Sequence, residues 1–401
     1  YTMRISSVGQ VAVWVGVVLL LSACEGFFGT KTNTDFIEVP TYSPREVAYV
    51  PVQPALTVFQ EPVDIIAGFD ELIYVVDKAT EEIISLDESG RELGRFKVRG
   101  VRALAQTRNL DLLAIGENTA NVAGTDFDVT CIYKIDMHGE GASFGIEYAR
   151  ITDTITHPFY FKSTFSLSDA DVKFNKIAVL EDNRFYVTRK GLDNNPQKFG
   201  GPDDAVLLFG ANGTYITPVI VNTPNGFFRD FFKRPMGISS FVQPPQISAG
   251  GPEHFVFTSL EENTSIKVQV IDYLESDFGA SYEPRILFES DSTVADGNLA
   301  TPNKFEEPVG VTITGDGTNF ILVVDRARDS LYQFTTTGLE GVKPPAGAAS
   351  PKYQMASFGG RGEGLSQFNA PSAVAYKNRI VWVCDTGNGR VLRFKLTKDF
   401  Q

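Results

Sequence analysis

Histidine, cysteine and tryptophan are scarce in this sequence. Its 401 residues include 3 His, 3 Cys and 2 Trp. So few histidines leave little material for a histidine-rich metal site or a Ser–His–Asp triad, and three cysteines exclude a disulfide-stapled scaffold. Basic residues are also in deficit, because 36 Lys and Arg stand against 49 Asp and Glu and the formal net charge is −13. This balance argues against nucleic acid as a partner, since binding nucleic acid needs clustered positive charge.

Apolar and aromatic residues, by contrast, are plentiful. Hydrophobic residues make up 43% of the chain, and Phe alone occurs 31 times. This is enough apolar material for a sizeable core, and it excludes wholesale disorder. The 36 Gly and 21 Pro indicate many turns.

The N-terminal stretch has the layout of a secretory signal. Met3 supplies the expected start, Arg4 a positive charge, and residues 8–21 an apolar run. The run is shorter than the roughly 20 residues that a membrane-spanning helix needs. We therefore expect residues 1–23 to be a signal peptide.

The end of this run, Leu21-Ser22-Ala23-Cys24, resembles the lipobox of bacterial lipoproteins, in a style typical of the Bacteroidetes envelope. The resemblance implies lipidation of Cys24 and a membrane anchor made of buried acyl chains. An ordinary signal peptide that ends near a cysteine is the alternative. The inner-membrane retention signal uses Asp after the cysteine, so Glu25 predicts the outer membrane, on its periplasmic face or at the cell surface. Residues 24–54 are polar and predict a tether.

The C-terminal segment carries the strongest repeat signal. Residues 358–375 read FGGRGEGLSQFNAPSAVA, and residues 380–394 read IVWVCDTGNGRVLRF. This pattern resembles the NHL repeat, the blade unit of a family of β-propellers. Short β-rich runs between Gly, Asn and Pro turns agree with a meander of strands. The resemblance implies structural roles for Asp385, Asn388 and Arg390, which can bond turn backbone or reach a neighbouring blade.

Weaker copies of the repeat lie upstream, each with a proline-led strand and a second strand that ends in aspartate. The spacing is 15, 17 and 14 residues for the pairs Pro62–Asp77, Pro308–Asp325 and Pro371–Asp385. Degenerate copies cover residues 101–135, 177–209 and 235–270. The sequence therefore predicts an all-β, six-bladed β-propeller (NHL or TolB-like) over residues 55–401, in which Asp77 and Asp325 are structural repeat residues.

The last copy lacks its outermost strand, because the chain ends soon after residue 396. An open ring would leave sheet edges exposed. We expect an N-terminal strand at residues 55–59 to pair with the last blade and close the ring.

Two aromatic inserts between the predicted strands are candidate binding surfaces. Residues 225–234 predict a short helix with phenylalanines on one face, and residues 157–165 are dense in aromatics, which suits contact with a sugar or peptide. A linker helix packed on the blades and an apolar anchor for a long loop are the respective alternatives. The candidate binding residues are Phe159, Tyr160, Phe161, Phe227, Phe228, Phe231 and Phe232.

Signals for a metal or cofactor are weak. The histidines fall at unequal phases of their blades, and carboxylate pairs such as Asp203 and Asp204 are typical of solvated loops. We predict no catalytic residue, no metal and no cofactor. Cys131 and Cys384 lie in apolar strands and are expected to pack as small hydrophobes.

The function that this pattern favours is a lipid-anchored binding or scaffold module of the cell envelope, with a protein, peptide or glycan partner. The family that the repeat resembles also includes enzymes, so the alternative is a lactonase-like hydrolase or lyase with a divalent metal at the axis of the ring. A third possibility is a structural subunit of an envelope complex. Carboxylates or histidines that converge on the axis would favour an enzyme, and an uncharged or aromatic face would favour a binder.

Overall fold

The structure, a computed structural model, describes residues 47–245, 253–277, 279–287, 292–344 and 350–397. The predicted signal peptide, the tether up to residue 46 and the lipidation site Cys24 lie outside these residues. Among the described residues, no helix is both long and apolar enough to span a membrane.

The described chain folds into six β-sheets that follow one another along the sequence. We call them blades 1 to 6. Blade 1 consists of strands β2 (Pro62–Ala67), β3 (Ile73–Asp77), β4 (Glu82–Leu86) and β5 (Glu92–Lys97). Blade 2 consists of β6 (Ala103–Gln106), β7 (Leu112–Val122), β8 (Thr125–Asp136) and β9 (Arg150–Thr156). Blade 3 consists of β10 (Lys173–Val179), β11 (Phe185–Lys190), β12 (Ala205–Phe209) and β13 (Tyr215–Pro218).

The other three blades complete the ring. Blade 4 consists of β16 (Pro235–Ser240), β17 (Phe255–Ser259), β18 (Val268–Ser276) and β19 (Gly279–Pro284), extended by β14 (Val221–Thr223) and β15 (Gly226–Phe228). Blade 5 consists of β20 (Pro308–Ile313), β21 (Ile321–Asp325), β22 (Ser330–Phe334) and β23 (Phe358–Gly359). Blade 6 consists of β24 (Ala373–Lys377), β25 (Ile380–Asp385), β26 (Arg390–Leu396) and β1 (Tyr49–Leu56). Three short 3-10 helices occur among the described residues, at Ile146–Tyr148, Leu167–Asp171 and Thr386–Asn388.

The core lies between the blades. Strands β3, β12, β17 and β21 are buried at every position, because each blade packs against a neighbour on both faces. Between blades 1 and 6, for example, Ile73 and Ile84 pack with Ala375 and Trp382. Consecutive blades contact through their first strands, and β2 contacts β24. The prediction of an all-β, six-bladed propeller is confirmed.

The ring is closed by an N-terminal strand, as predicted, but the strand begins earlier. It runs from Tyr49 to Leu56 and pairs antiparallel with β26, so it covers residues that the sequence pattern had placed in the tether. Pro51 and Pro54 concealed it, although an outermost strand tolerates proline because its outer edge needs no hydrogen bonds. Phe59 is buried in the core beyond the end of the strand.

The predicted helix at residues 225–234 is wrong. β14 and β15 form a hairpin there, and β14 also pairs with β19 at the outer edge of blade 4. The turn between the two strands leads into Gly226, whose φ of 117° lies in a region that only glycine adopts readily. Residues 117–130 extend blade 2 beyond its buried strands. There β7 and β8 continue as a hairpin paired as far as Val122 and Thr125, which we call the blade 2 arm.

Candidate functional site

Three aspartates at the ends of second strands form the same kind of clamp. Asp77, Asp325 and Asp385 are fully buried. Each carboxylate accepts backbone N–H groups from the segment that enters the first strand of its own blade. The donors are Gln60 and Glu61 for Asp77 (2.7 and 3.0 Å), Glu306 and Glu307 for Asp325 (2.7 and 3.1 Å), and Asn369 for Asp385 (2.7 Å). These contacts are structural, and they hold two strands of a blade together.

The last blade adds side chains to its clamp. Asn388 Nδ2 and Arg390 Nε donate to Asp385 Oδ2 at 2.8 and 2.7 Å. The remaining guanidinium nitrogens of Arg390 donate to backbone carbonyls at residues 363, 364 and 367, in the segment that links blades 5 and 6. A charged fork that satisfies several carbonyls is well suited to fix such a segment.

A narrow cavity of about 70 Å³ lies at the centre of the ring, surrounded by the six first strands. Most of its lining is apolar or backbone. Its polar side chains belong to Asp64, Gln106, Lys176, Ser239, Gln243, Thr312 and Tyr376.

The centre of this cavity is held by a buried ion pair. Asp64 on β2 is 3% exposed, and its Oδ1 pairs with Lys176 Nζ on β10. The carboxylate also accepts the N–H of Ile65 at 2.9 Å and that of Leu104, on β6, at 2.8 Å. One carboxylate therefore connects blades 1, 2 and 3.

These residues do not fit a divalent metal at the axis. Among the described residues that line the cavity, Asp64 is the only carboxylate and no histidine is present. A divalent cation needs several anionic or neutral donors at short range. Here the ammonium of Lys176 lies against the one carboxylate and would repel a cation.

A second group of possible ligands is found on blade 2, where ligand atoms of Asp111, Asp136 and His138 lie within 4.8 Å of one another. The guanidinium of Arg150 pairs with Asp136 Oδ2, and His138 Nδ1 lies 2.9 Å from Asp136 Oδ1. Burial and the charge of Asp136 raise the pKa of Asp111. This is a surface ion-pair network, in which Arg150 supplies the cation.

A larger open cavity, about 540 Å³ in volume, lies between the outer parts of blades 2 and 3. We call it the blade 2–3 groove. Phe159 contributes to it and is 44% exposed. Its walls come from the blade 2 arm (residues 118–121), the end of β9 (residues 154–156), Phe159, Tyr160, and the turn into β13 (residues 213–215).

Of the aromatic residues predicted at 159–161, two line this groove and one supports it. The Tyr160 ring lies 5.3 Å from that of Tyr215, and its hydroxyl accepts a 2.6 Å hydrogen bond from Arg189 Nη1. Phe161 does not line the groove. It packs against Phe199 at 6.3 Å and lies below the Arg189 guanidinium at 5.8 Å.

Buried charges anchor the segment that carries these aromatics. His157 is 1% exposed, and its Nε2 lies 3.3 Å from Asp169 Oδ1. Lys162 Nζ lies 3.0 Å from the other oxygen of Asp169. Burial lowers the pKa of His157. Burial alone would raise the pKa of Asp169, but its close contacts with His157, Ser166 and Lys162 outweigh burial and hold this pKa well below its usual range.

Asp203 and Asp204 were expected in a solvated loop, and this is wrong, since they are 2% and 4% exposed. Asp203 Oδ1 accepts a 2.6 Å bond from Lys198 Nζ, and Asp204 Oδ2 accepts the N–H of Arg234 at 2.9 Å. Burial raises the pKa of Asp204. The side chains are buried because the loop folds back on Arg189, whose guanidinium donates to the carbonyl of Asp203.

The four phenylalanines of the other insert do not share one face. Phe227 and Phe228 lie on β15 and are 75% and 37% exposed, whereas Phe232 is 1% exposed. Phe231 and Phe232 pack on blade 4, where the Phe232 ring lies 4.9 Å from that of Phe257. A strand followed by a turn directs successive side chains to different sides, so this insert presents two aromatics rather than four.

The sequence analysis did not identify the Asp64–Lys176 ion pair at the axis, the residues of the blade 2 arm that line the groove, or Tyr215. A signal for the pair was available, because Asp64 is the one charged residue in β2 and Lys176 lies in the interior of β10. No spacing rule links the groove residues, which come from three separate segments. Cys131 and Cys384 are buried and unbridged.

Comparisons with protein-family models and with curated protein sequences find no match. Solved structures match over most of the chain. The PQQ-bound form of aldose sugar dehydrogenase from Streptomyces coelicolor is 13% identical, with a TM-score of 0.51, and the match covers 88% of this chain and 99% of that one.

Two further matches have lower TM-scores. A luciferin-regenerating enzyme is 11% identical (TM-score 0.49; 86% of this chain, 95% of that chain). An auxiliary nutrient binding protein from Bacteroides ovatus is 12% identical (TM-score 0.48; 84% of this chain, 70% of that chain). At such identities the likeness to solved structures shows the propeller fold alone.

Proposed function

We propose that this chain is a lipid-anchored, NHL-type propeller of the bacterial cell envelope that binds a protein, peptide or glycan partner without catalysis. The observation that carries the proposal is the Asp64–Lys176 ion pair at the axis. An enzyme of the alternative type would need a metal and a substrate there. The axial cavity offers one carboxylate among its described lining residues, and that carboxylate is already paired with the ammonium of Lys176.

The assignment to the NHL type rests on the repeated clamps. In blades 1, 5 and 6, the first strand begins at or just after a proline, and the second strand ends in a buried aspartate that binds backbone amides of the segment before the proline. The same sequence pattern thus performs the same local task three times, which is the behaviour of a repeat.

Elemental analysis of the mature protein purified from detergent-solubilised membranes tests the absence of an axial metal. We expect less than a tenth of an equivalent of any divalent metal. One equivalent of tightly bound metal that the Asp64→Asn variant fails to retain would overturn the proposal, because Asp64 supplies the carboxylate at the axis. The same preparation serves for a pull-down, in which a partner held in a fixed ratio through all washes would instead favour a structural subunit.

The anchor is proposed from the sequence, and fractionation tests it. The wild type should sediment with the outer membrane, and Cys24→Ser should move it to the soluble fraction. Glu25→Asp should redirect it to the inner membrane, whereas the matched control Glu25→Gln should leave it in the outer membrane. Recovery of Cys24→Ser in the outer membrane at the wild-type level would contradict a lipid anchor at this residue.

A further inference from the structure

The blade 2–3 groove has the chemistry of a carbohydrate site. We propose that it binds a neutral oligosaccharide, an inference that rests on the proposed binding function and specifies its ligand. The groove lies at the outer part of the ring, away from the axial cavity. Its volume of about 540 Å³ falls within the roughly 300–1,000 Å³ typical of small-molecule sites.

The groove is built from structured segments rather than from one long loop. The blade 2 arm is paired along its whole length, from Glu117 with Thr130 to Val122 with Thr125. On the opposite side, β13 pairs with β12 next to the turn that carries Thr214. Walls held by strand pairing are preformed, which lowers the entropy that a ligand must lose on binding.

An aromatic surface is available to a sugar ring. Phe159 is 44% exposed although it lies between the buried Pro158 and the partly buried Tyr160, and Tyr215 follows the turn on the other wall. The C–H faces of a pyranose are apolar and pack on aromatic rings, which bring a large contact area at a small cost in side-chain entropy. Tyr160, at the adjacent position, is tied to Arg189 through its hydroxyl.

The remaining lining is polar but uncharged. Asn118, Thr154, Thr156 and Thr214 contribute amide and hydroxyl groups that can both donate and accept hydrogen bonds, as sugar hydroxyls do. No residue that lines the groove in the described chain carries an acidic or basic side chain. Burial raises the pKa of Tyr160 to about 12, so this phenol also stays neutral. The lining therefore favours a neutral ligand over a phosphorylated or acidic one.

The same lining disfavours a peptide. A peptide site takes its specificity from pockets that receive alternate side chains. Among the described residues that line the groove, the large aliphatic side chain is that of Ile155. It is 7% exposed and belongs to the core between blades 2 and 3. Aromatic rings beside hydroxyls and amides, with no apolar pocket, fit sugar rings better.

The test is a screen of the mature protein on an array of neutral, acidic and sulfated oligosaccharides, followed by calorimetric titration of the strongest ligand. We expect a neutral oligosaccharide to bind and Phe159→Ala to weaken it at least tenfold. The control Tyr148→Ala truncates an aromatic side chain of similar exposure, 41%, in the 3-10 helix at Ile146–Tyr148 outside the groove, and it should leave affinity within twofold of wild type. Affinity should also be unchanged between 50 and 500 mM salt, because no charge pair forms.

Four results would overturn the inference: no glycan binding by the wild type, preference for charged glycans, equal affinities of Phe159→Ala and wild type, or a peptide that competes for the groove. Phe159→Ala must keep the thermal midpoint of the wild type, which its exposed position predicts. A partner still captured by Phe159→Ala would refute the carbohydrate site and leave the binding function standing. An axial metal in a protein whose groove still binds the neutral glycan would refute the non-catalytic function and leave the carbohydrate site standing.

Discussion

The ion pair between Asp64 and Lys176 can be broken from one side with little change in volume. Lys176→Met keeps an unbranched side chain and removes the ammonium. Asp64 would then retain only the N–H groups of Ile65 and Leu104, in surroundings that leave it 3% exposed. The variant therefore leaves a buried carboxylate without a counter-charge.

The size of the effect follows from this burial. The two side chains are 11% and 4% exposed, and removal of one partner from a buried pair costs about 3–5 kcal/mol. Lys78→Met is the matched control, because its ammonium pairs with Glu61 but is 57% exposed. Exposed pairs contribute about 0–1 kcal/mol. The double variant Asp64→Asn with Lys176→Met should recover at least half of the loss, because it leaves no buried charge.

Urea unfolding followed by tryptophan fluorescence measures these differences, since Trp382 is fully buried in the core between blades 1 and 6. We expect Lys176→Met to lower the free energy of unfolding by about 3–5 kcal/mol, at low and at high salt. A loss below about 1 kcal/mol, or one equal to that of Lys78→Met, would refute the reasoning. So would a double variant as unstable as Lys176→Met, because the loss could not then come from the unpaired carboxylate.

Two further predictions concern the clamps and the buried histidine. Asp325→Ala should lower the free energy of unfolding by at least about 3 kcal/mol, because hydrogen bonds to charged groups contribute about 1.5–3 kcal/mol each. The Asp325 carboxylate accepts four backbone N–H groups. A loss of stability no greater than that of the exposed control Glu306→Ala would contradict the clamp. Burial lowers the pKa of His157 in the folded state, so the unfolded chain binds a proton more readily and the wild type loses stability as the pH falls below about 6.5. The thermal midpoint of His157→Gln should therefore fall less between pH 7 and pH 5 than that of the wild type, and an equal fall would count against this linkage.

The strands of the best-preserved repeats could be predicted almost to the residue. In blade 6, the repeat covers residues 358–375 and 380–394, and the structure has β24, β25 and β26 at Ala373–Lys377, Ile380–Asp385 and Arg390–Leu396. Alternating β-rich runs and glycine turns suffice there, because the hydrogen-bond partners are close along the chain. The strand β1 was misplaced because its partner β26 is more than 300 residues away.

The inserts were predicted less well than the blades. Phenylalanines at 227, 228, 231 and 232 have helical spacing, but β15 pairs with β14, which itself pairs with β19, and this pairing overrides the local preference. The blade 2 arm reads as a polar loop in sequence, yet it continues two strands that are already paired in the core.

The sequence by itself determined the repeat, the number of blades and the acidic, histidine-poor composition, because these depend on residues within about one blade of each other. Only the tertiary structure decided which side chains meet at the axis and in the groove. Asp64 and Lys176 are 112 residues apart, and the groove combines segments near residues 120, 155 and 214. Their proximity is set by the closed ring, since each blade's position depends on its packing against both neighbours, and no local pattern encodes it.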